Sequence, residues 1–402
     1  MKKKNVTLLY SLITAGYWMG CVIYFQFAGG YLKALGYSAT DYGLIIAAGS
    51  TLSAVLAPVL GSFCDKHPRI TPLRINLPLY ALQLVALLTL QFCFGQGACF
   101  LNTAAFILYI TVCVPVNSVN MMMCVNFEKY GARLNFPLAR GIGSLGFMVF
   151  CELAGILIAD HTYSIIPLCG MLLILFDLPF HIWSEREMLR LRDQQPAEDA
   201  ASQEKAVSLP RFIRDNKRFS LLLLGAVFIF VAHNLDANFL NEINTHLHGT
   251  PETLGRIGSI TAIVEVPVLL FFVPIFGKMR ESTLLKAAFG FFVLKLLAYA
   301  LAAFAPTVDL YCWARILQAP SYAIFVAAIV PYVQKVISPR DAAKGQSLAF
   351  TVTTVGSVLA ALFGGSLFDS IGVQSTLFVA TGFAALGAVL AILGTQKTSA
   401  NP

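Results

Sequence analysis

Arg140, Glu152, Asp236, Glu242, Glu265, Lys295 and Arg315 stand inside stretches that are otherwise apolar. A charge at the centre of a bilayer costs about 2.5–3.5 kcal/mol even on lenient insertion scales, so each such group needs a partner, a proton or water. Two kinds of chemistry follow. A carboxyl group in that setting can exchange a proton near neutral pH, which is the physical requirement for proton coupling. A guanidinium with neighbouring hydroxyls and aromatic rings can hold a polar solute. Polar stripes accompany the charges. Arg140, Ser144, Phe147 and Cys151 share one helical face, as do Asn117, Asn120, Cys124 and Glu128, and as do Arg315, Gln318 and Tyr322. The segment from His233 to Asn244 carries His233, Asn234, Asp236, Asn238, Asn241, Glu242 and Asn244, too many polar groups for a lipid-facing helix. His233 and Asp236, three apart, could hydrogen-bond, but no nucleophile accompanies them, so an enzyme is not expected.

The elements that position these residues are dictated by composition. Of 402 residues, 57% are hydrophobic and 12% charged, against about 25% charged in a soluble domain. So few charges cannot cover a water-facing surface. Charge-poor runs of membrane-spanning length recur along the chain, and lipid forces their backbones into helices. Twelve spans can be drawn, at roughly 7–34, 41–63, 73–95, 99–126, 136–159, 162–184, 219–246, 253–276, 283–304, 308–335, 345–368 and 374–395. With these spans most Lys and Arg fall in the termini and alternate loops on one side, while Lys33 and Arg256 fall on the other. That bias places both termini in the cytoplasm and accounts for the net charge of +7 without nucleic acid. No signal peptide is expected: the apolar run after Met1 to Lys4 is too long and lacks a small-residue cleavage site. The nine cysteines show no metal-ligand spacing and read as packing residues.

The fifth span opens with Ala139-Arg140-Gly141-Ile142-Gly143-Ser144-Leu145-Gly146-Phe147. A degenerate copy, Ala343-Lys344-Gly345-Gln346-Ser347-Leu348-Ala349-Phe350, opens the eleventh and continues its face through Thr353 and Ser357. A repeat at half the chain length implies two related six-helix halves, 1–184 and 219–402, joined by a hydrophilic, disordered cytoplasmic linker at 185–218. Tyr17 and Tyr24 either line a cavity or pack between helices. Asn117 and Asn120 either bind solute or bond helix to helix. A break is expected toward the outer end of the 219–246 span. Lys295 is expected to form a largely structural ion pair with Asp236 or Glu265, with Glu152 and His233 as further charge-pair or proton groups.

Gly61-Ser62-Phe63-Cys64-Asp65-Lys66, between the second and third spans, resembles the cytoplasmic loop motif of the major facilitator superfamily, and marks Asp65 and Lys66 as a gating loop. Phe127-Glu128-Lys129, Leu134-Asn135-Phe136, Ala139-Arg140 and Gly143-Ser144-Leu145-Gly146-Phe147 resemble its oligosaccharide:proton symporter family. The resemblance implies an all-α fold of 12 transmembrane helices in two pseudo-symmetric halves. It implies a sugar-binding role for Arg140, a stacking position at Phe147, a charge-pair aspartate at Asp236 and a coupling cation at Lys295. The chain departs from that family at Cys124, where a glutamate is usual, and at Ser321 and Ile324, near the usual proton site. Glu265-Val266-Pro267 resembles a Glu-aliphatic-Pro pattern of related transporters.

The resulting expectation is a monomeric, cofactor-free transporter of a bacterial cytoplasmic membrane. It would couple proton entry to uptake of a small polar solute such as a sugar or oligosaccharide. Tyr24, Asn117, Asn120, Arg140, Ser144, Phe147, Asn234, Asn238, Gln318, Tyr322, Gln346 and Thr353 are the candidate binding residues. Asp236, Glu265, Lys295, Arg315, Glu152 and His233 are the candidate coupling or charge-pair residues. The alternatives are an exporter of drugs or metabolites, an importer of nucleosides or organic acids and, outside transport, a membrane receptor.

Overall fold

The computed structural model describes residues 5–67, 70–194, 209–338 and 341–398. The described chain is helical: α1 (Thr7–Phe25), α2 (Ala28–Ala34), α3 (Ala39–Lys66), α4 (Pro72–Cys93), α5 (Phe100–Lys129), α6 (Phe136–His161), α7 (Ile165–Gln194), α8 (Leu209–Asp215), α9 (Lys217–Asn238), α10 (Leu240–His246), α11 (Pro251–Leu270), α12 (Phe272–Phe276), α13 (Glu281–Ala302), α14 (Asp309–Ala314), α15 (Ile324–Val336) and α16 (Ala342–Gly394). Among the described residues eleven helices are long and apolar enough to cross a membrane. Large apolar side chains cover their outer faces: Val55 and Val59 on α3 are 63% and 58% exposed, and Trp313 is 70% exposed. Water does not tolerate so much apolar surface on a monomer, but lipid does.

The described helices refine the expected spans in several places. The first span is two helices, because the turn widens at Gln26 and Phe27, where Phe27 N–H bonds Val22 O, five residues back, at 3.3 Å. The eleventh and twelfth spans lie within α16 as two helices that meet at a kink, where Gly372 takes the non-helical φ of 76°, accessible to glycine at little cost. The segment 185–218 is not a plain coil. Helix α7 continues to Gln194 and α8 resumes at Leu209, while residues 195–208 lie outside the described residues. The side chains of Asp65 and Lys66, the expected gate, also lie outside them. The break expected late in the 219–246 span is present, where α9 ends at Asn238 and α10 begins at Leu240.

Two compact units partition the chain. The first holds residues 1–200 with 250–262, the second 201–249 with 263–402. The division cuts α11 rather than falling only in the central segment. In the first unit α1 packs on α6, and α4 and α3 pack on α5. The α1–α6 approach is close because Gly143 faces α1. A Cβ there would lie 2.7 Å from Thr14 Cγ2 and 2.8 Å from Trp18 Cδ1. Tyr10, Ile13, Met123, Phe127 and Ala139 fill the core beside this contact. In the second unit α9 lies along α16, and α13 packs on α15 and α16. Phe219, Phe230, Phe289, Phe292, Phe325 and Tyr332 fill its core.

Between α14 and α15 the helix is irregular. A tight 3₁₀ turn, Arg315–Leu317, runs into a wide π turn, Ala319–Ala323. Pro320 explains the disruption, since it lacks the N–H that would close the helical ladder. Ser321 Oγ donates to Leu317 O at 2.6 Å and to Gln318 O at 3.3 Å, which satisfies carbonyls in the irregular turn. Such π turns recur at functional sites, and this one sits beside the Asp236, Lys295, Glu265 and Arg315 side chains.

Candidate functional site

The cluster of the second unit is built from α9, α13, the end of α14 with the irregular turn, and the later half of α11. Asp236 is fully buried on α9. Arg315 grips both of its carboxylate oxygens, with Nη1 2.9 Å from Oδ2 and Nη2 3.3 Å from Oδ1. Tyr311, one helical turn before Arg315, donates its hydroxyl to Asp236 Oδ1 and accepts from Arg315 Nη2 at 2.5 Å. The rings of Tyr299 and Tyr311 lie 4.6 Å and 4.7 Å from the guanidinium carbon. A planar cation is thus paired bidentately and enclosed by π faces, the setting that suits arginine and not lysine.

A second chain of polar groups adjoins it. Lys295, fully buried on α13, lies with Nζ 3.1 Å from His233 Nδ1 and 3.0 Å from Gln318 Oε1. Two nitrogens can share a hydrogen bond only if one offers a lone pair, so a neutral imidazole accepts from the ammonium. Gln318 Nε2 then donates to Glu265 Oε1 at 2.8 Å. The amide of Gln318 is oriented by these neighbours: the ammonium has only protons to give and an ionised carboxylate only lone pairs to offer. Glu265, at the end of this relay, is half-buried, whereas Asp236, Lys295 and Arg315 are sealed. The relay therefore joins a sealed cation to a half-buried carboxyl group.

This arrangement differs from two pairings considered from the sequence. Asp236 forms its ion pair with Arg315, and Gln318 bridges Lys295 to Glu265. His233 bonds to Lys295 and not to Asp236, three residues away on its own helix. Tyr322 lies beside His233, with ring centroids 5.5 Å apart and the planes tilted by 32°. Asn234 returns its side-chain amide to Phe230 O of its own helix, and Asn238 donates to Ser357 O on α16. Gln346 and Thr353 are half-buried on α16, where Thr353 bonds back to Phe350 O.

The first unit gathers a different group. Arg140 lies with its guanidinium carbon 4.0 Å from the Trp18 ring and donates to Ser144 Oγ at 2.8 Å. The rings of Phe147 and Tyr17 lie 6.5 Å and 5.4 Å from that of Trp18, both in edge-to-face arrangements. One Arg140 N–H is used in this hydrogen bond among the described residues, and a guanidinium carries five donors. Asn120 is sealed between helices, where it accepts from Asn76 Nδ2 at 3.0 Å, while Asn117 is half-buried one turn earlier. Tyr17 and Tyr24 are buried. Glu152, half-buried on α6, joins neither cluster by a hydrogen bond among the described residues.

Trp18, Tyr299 and Tyr311 were not expected at these sites. Tyr311 had a legible signal, four residues before Arg315. Trp18 and Tyr299 had none, because each meets its cation across a helix–helix contact. Among the described residues no group of three or more His, Cys, Asp or Glu side chains could hold a metal ion.

Solved structures share this architecture. A substituted form of the nucleoside transporter NupG superposes with a TM-score of 0.78 at 14% identity, covering 98% of this chain and 100% of its own. A bacterial homologue of the iron transporter ferroportin gives 0.68 at 15% identity over 97% and 98%. The human organic anion transporter MFSD10 gives 0.60 at 15% identity over 96% and 98%. At these identities the likeness is one of fold. No curated protein sequence matches the chain. Residues 17–379 match the sequence profile described as MFS_1 like, and the chain belongs to the MFS_1-like family.

Proposed function

We propose that the chain is a secondary active transporter that couples proton entry to uptake of a small polar solute by alternating access. The preferred solute class is a sugar or oligosaccharide, as the symporter resemblance around Arg140 implies. The single observation that carries the coupling is the relay Glu265–Gln318–Lys295, which ties a half-buried carboxyl group to a sealed ammonium. Protonation of Glu265 removes the negative end of that relay, so the Gln318 amide loses its charged acceptor and Lys295 its balancing charge. On this reading Asp236 is locked by Arg315 and serves as a structural anchor, and the proton moves at Glu265.

The solute side of the proposal rests on Arg140. Its remaining donors fit hydroxyl or carboxylate oxygens, and Trp18 and Phe147 beside it offer apolar faces for a ring. A nucleoside, which carries both a ribose and a flat base, fits the same chemistry, and the likeness to a nucleoside transporter supports it as the second reading.

Proteoliposomes with an imposed pH gradient test the proposal, after a thermal-shift panel of sugars, nucleosides and organic acids has found a stabilising solute. Accumulation should follow the gradient, and Glu265→Gln should abolish gradient-driven accumulation while sparing solute exchange. Unchanged gradient dependence in Glu265→Gln would sink the coupling. Efflux without uptake would favour the exporter reading, and solutes that neither stabilise nor move would favour a receptor.

A further inference from the structure

Helix α7 carries a buried polar cluster that neither group above uses. Asp177 is 3% exposed and His181, four residues on, is wholly buried. Tyr80 of α4 donates its hydroxyl to Asp177 Oδ2 at 2.8 Å and lies 2.9 Å from His181 Nε2, which is itself 3.2 Å from the same Oδ2. Since the phenol has one proton and gives it to the carboxylate, the His181 Nε2–H is the donor toward Tyr80 and Asp177. Both bonds therefore converge on Oδ2. The other oxygen, Oδ1, has no hydrogen-bond partner.

That oxygen is packed beside Gly16, next to a small cavity. Asp177 lines a narrow cavity with Gly16, Tyr17, Tyr80, Gln83 and Tyr109, with room for about one water molecule. An unsatisfied carboxylate oxygen in such surroundings carries the full desolvation cost of its lone pairs. A hydrated metal ion would need several oxygen ligands, and the cavity offers one free carboxylate oxygen. A proton needs one lone pair. We infer that Asp177 is a proton-binding site of the first unit, separate from Glu265, loaded through water in this cavity. The proton adds to Oδ1, forming one O–H bond and leaving a water or hydroxide behind, while Oδ2 keeps both hydrogen bonds. The neutral carboxyl group can then donate into the cavity.

The titratable groups facing Asp177 are His181 on its own helix, Tyr80 from α4, Tyr17 from α1, and Tyr109 and Cys113 from α5, while Cys21 of α1 acts on Tyr80. From α6, the charge of Arg140 acts on Cys21. Tyr80 and Cys21 thus stand between Asp177 and the Arg140–Trp18 group. As a step in transport the proton at Asp177 rests on the proposed function, but its binding does not.

Infrared difference spectra of the purified full chain between neutral and acid pH, without solute, test the site. A protonated-carboxyl band should appear on acidification, vanish in Asp177→Asn and shift in frequency in Tyr80→Phe, which removes one donor to Oδ2 and keeps the ring. Gly16→Ala should perturb the same band, since its Cβ would lie 2.5 Å from Oδ1. A band unchanged in folded Asp177→Asn overturns the inference. If Asp177→Asn does not fold, a band unchanged in Tyr80→Phe overturns it. A band that responds to sodium at fixed pH overturns it in favour of a metal cation. Loss of gradient-driven uptake in Glu265→Gln with the band intact separates the two proposals.

Discussion

Arg315 holds both carboxylate oxygens of Asp236, at 2.9 Å and 3.3 Å, and neither residue is more than 3% exposed. Removal of one partner strands the other charge in a low-dielectric interior, at about 3–5 kcal/mol for a buried pair. Asp236→Asn and Arg315→Met should each lower stability by about that amount, read as the denaturation midpoint in detergent. The double variant should recover part of the loss, and strictly additive losses would show that the pair does not act as one.

Gln318 bridges Lys295 and Glu265, so its loss should cost function more than fold. Gln318→Leu keeps the side-chain volume but leaves the ammonium and the carboxylate without their link. Uptake should lose its dependence on external pH while the protein still purifies folded. Retained pH dependence in Gln318→Leu would assign the coupling elsewhere.

Arg140 rests on Trp18 and bonds Ser144 through a planar guanidinium. Arg140→Lys keeps the charge but not the fork geometry. Solute affinity, measured by titration calorimetry, should fall by about tenfold, which corresponds to ~1.4 kcal/mol. Trp18→Ala should weaken binding too, whereas undiminished affinity in both variants would remove this group from the solute site.

Gly143 admits the α1 backbone beside α6. Gly143→Val should destabilise the first unit by about 1–3 kcal/mol through overpacking against Thr14 and Trp18. Tryptophan fluorescence should report the displaced Trp18 ring. A variant with native stability would show that the two helices separate at little cost.

The all-helical membrane architecture was legible because hydropathy is a local property that lipid enforces segment by segment. The break after Asn238 was legible for the same reason, since the polar run around it cannot continue as a lipid-facing helix. The Arg140–Ser144 bond was legible from a spacing of four. Asp177 and His181 share that spacing in an apolar span, yet their weight comes from Tyr80, nearly a hundred residues earlier on another helix.

What the amino-acid sequence determined by itself is which segments cross the membrane and which residues share a face. The tertiary structure alone decided the partners: Arg315 for Asp236, His233 for Lys295, Asn76 for Asn120 and Trp18 for Arg140. The reason is physical. A helical period fixes the direction of a side chain on its own axis, whereas pairing depends on the rotation and close approach of helices far apart in sequence, which packing sets.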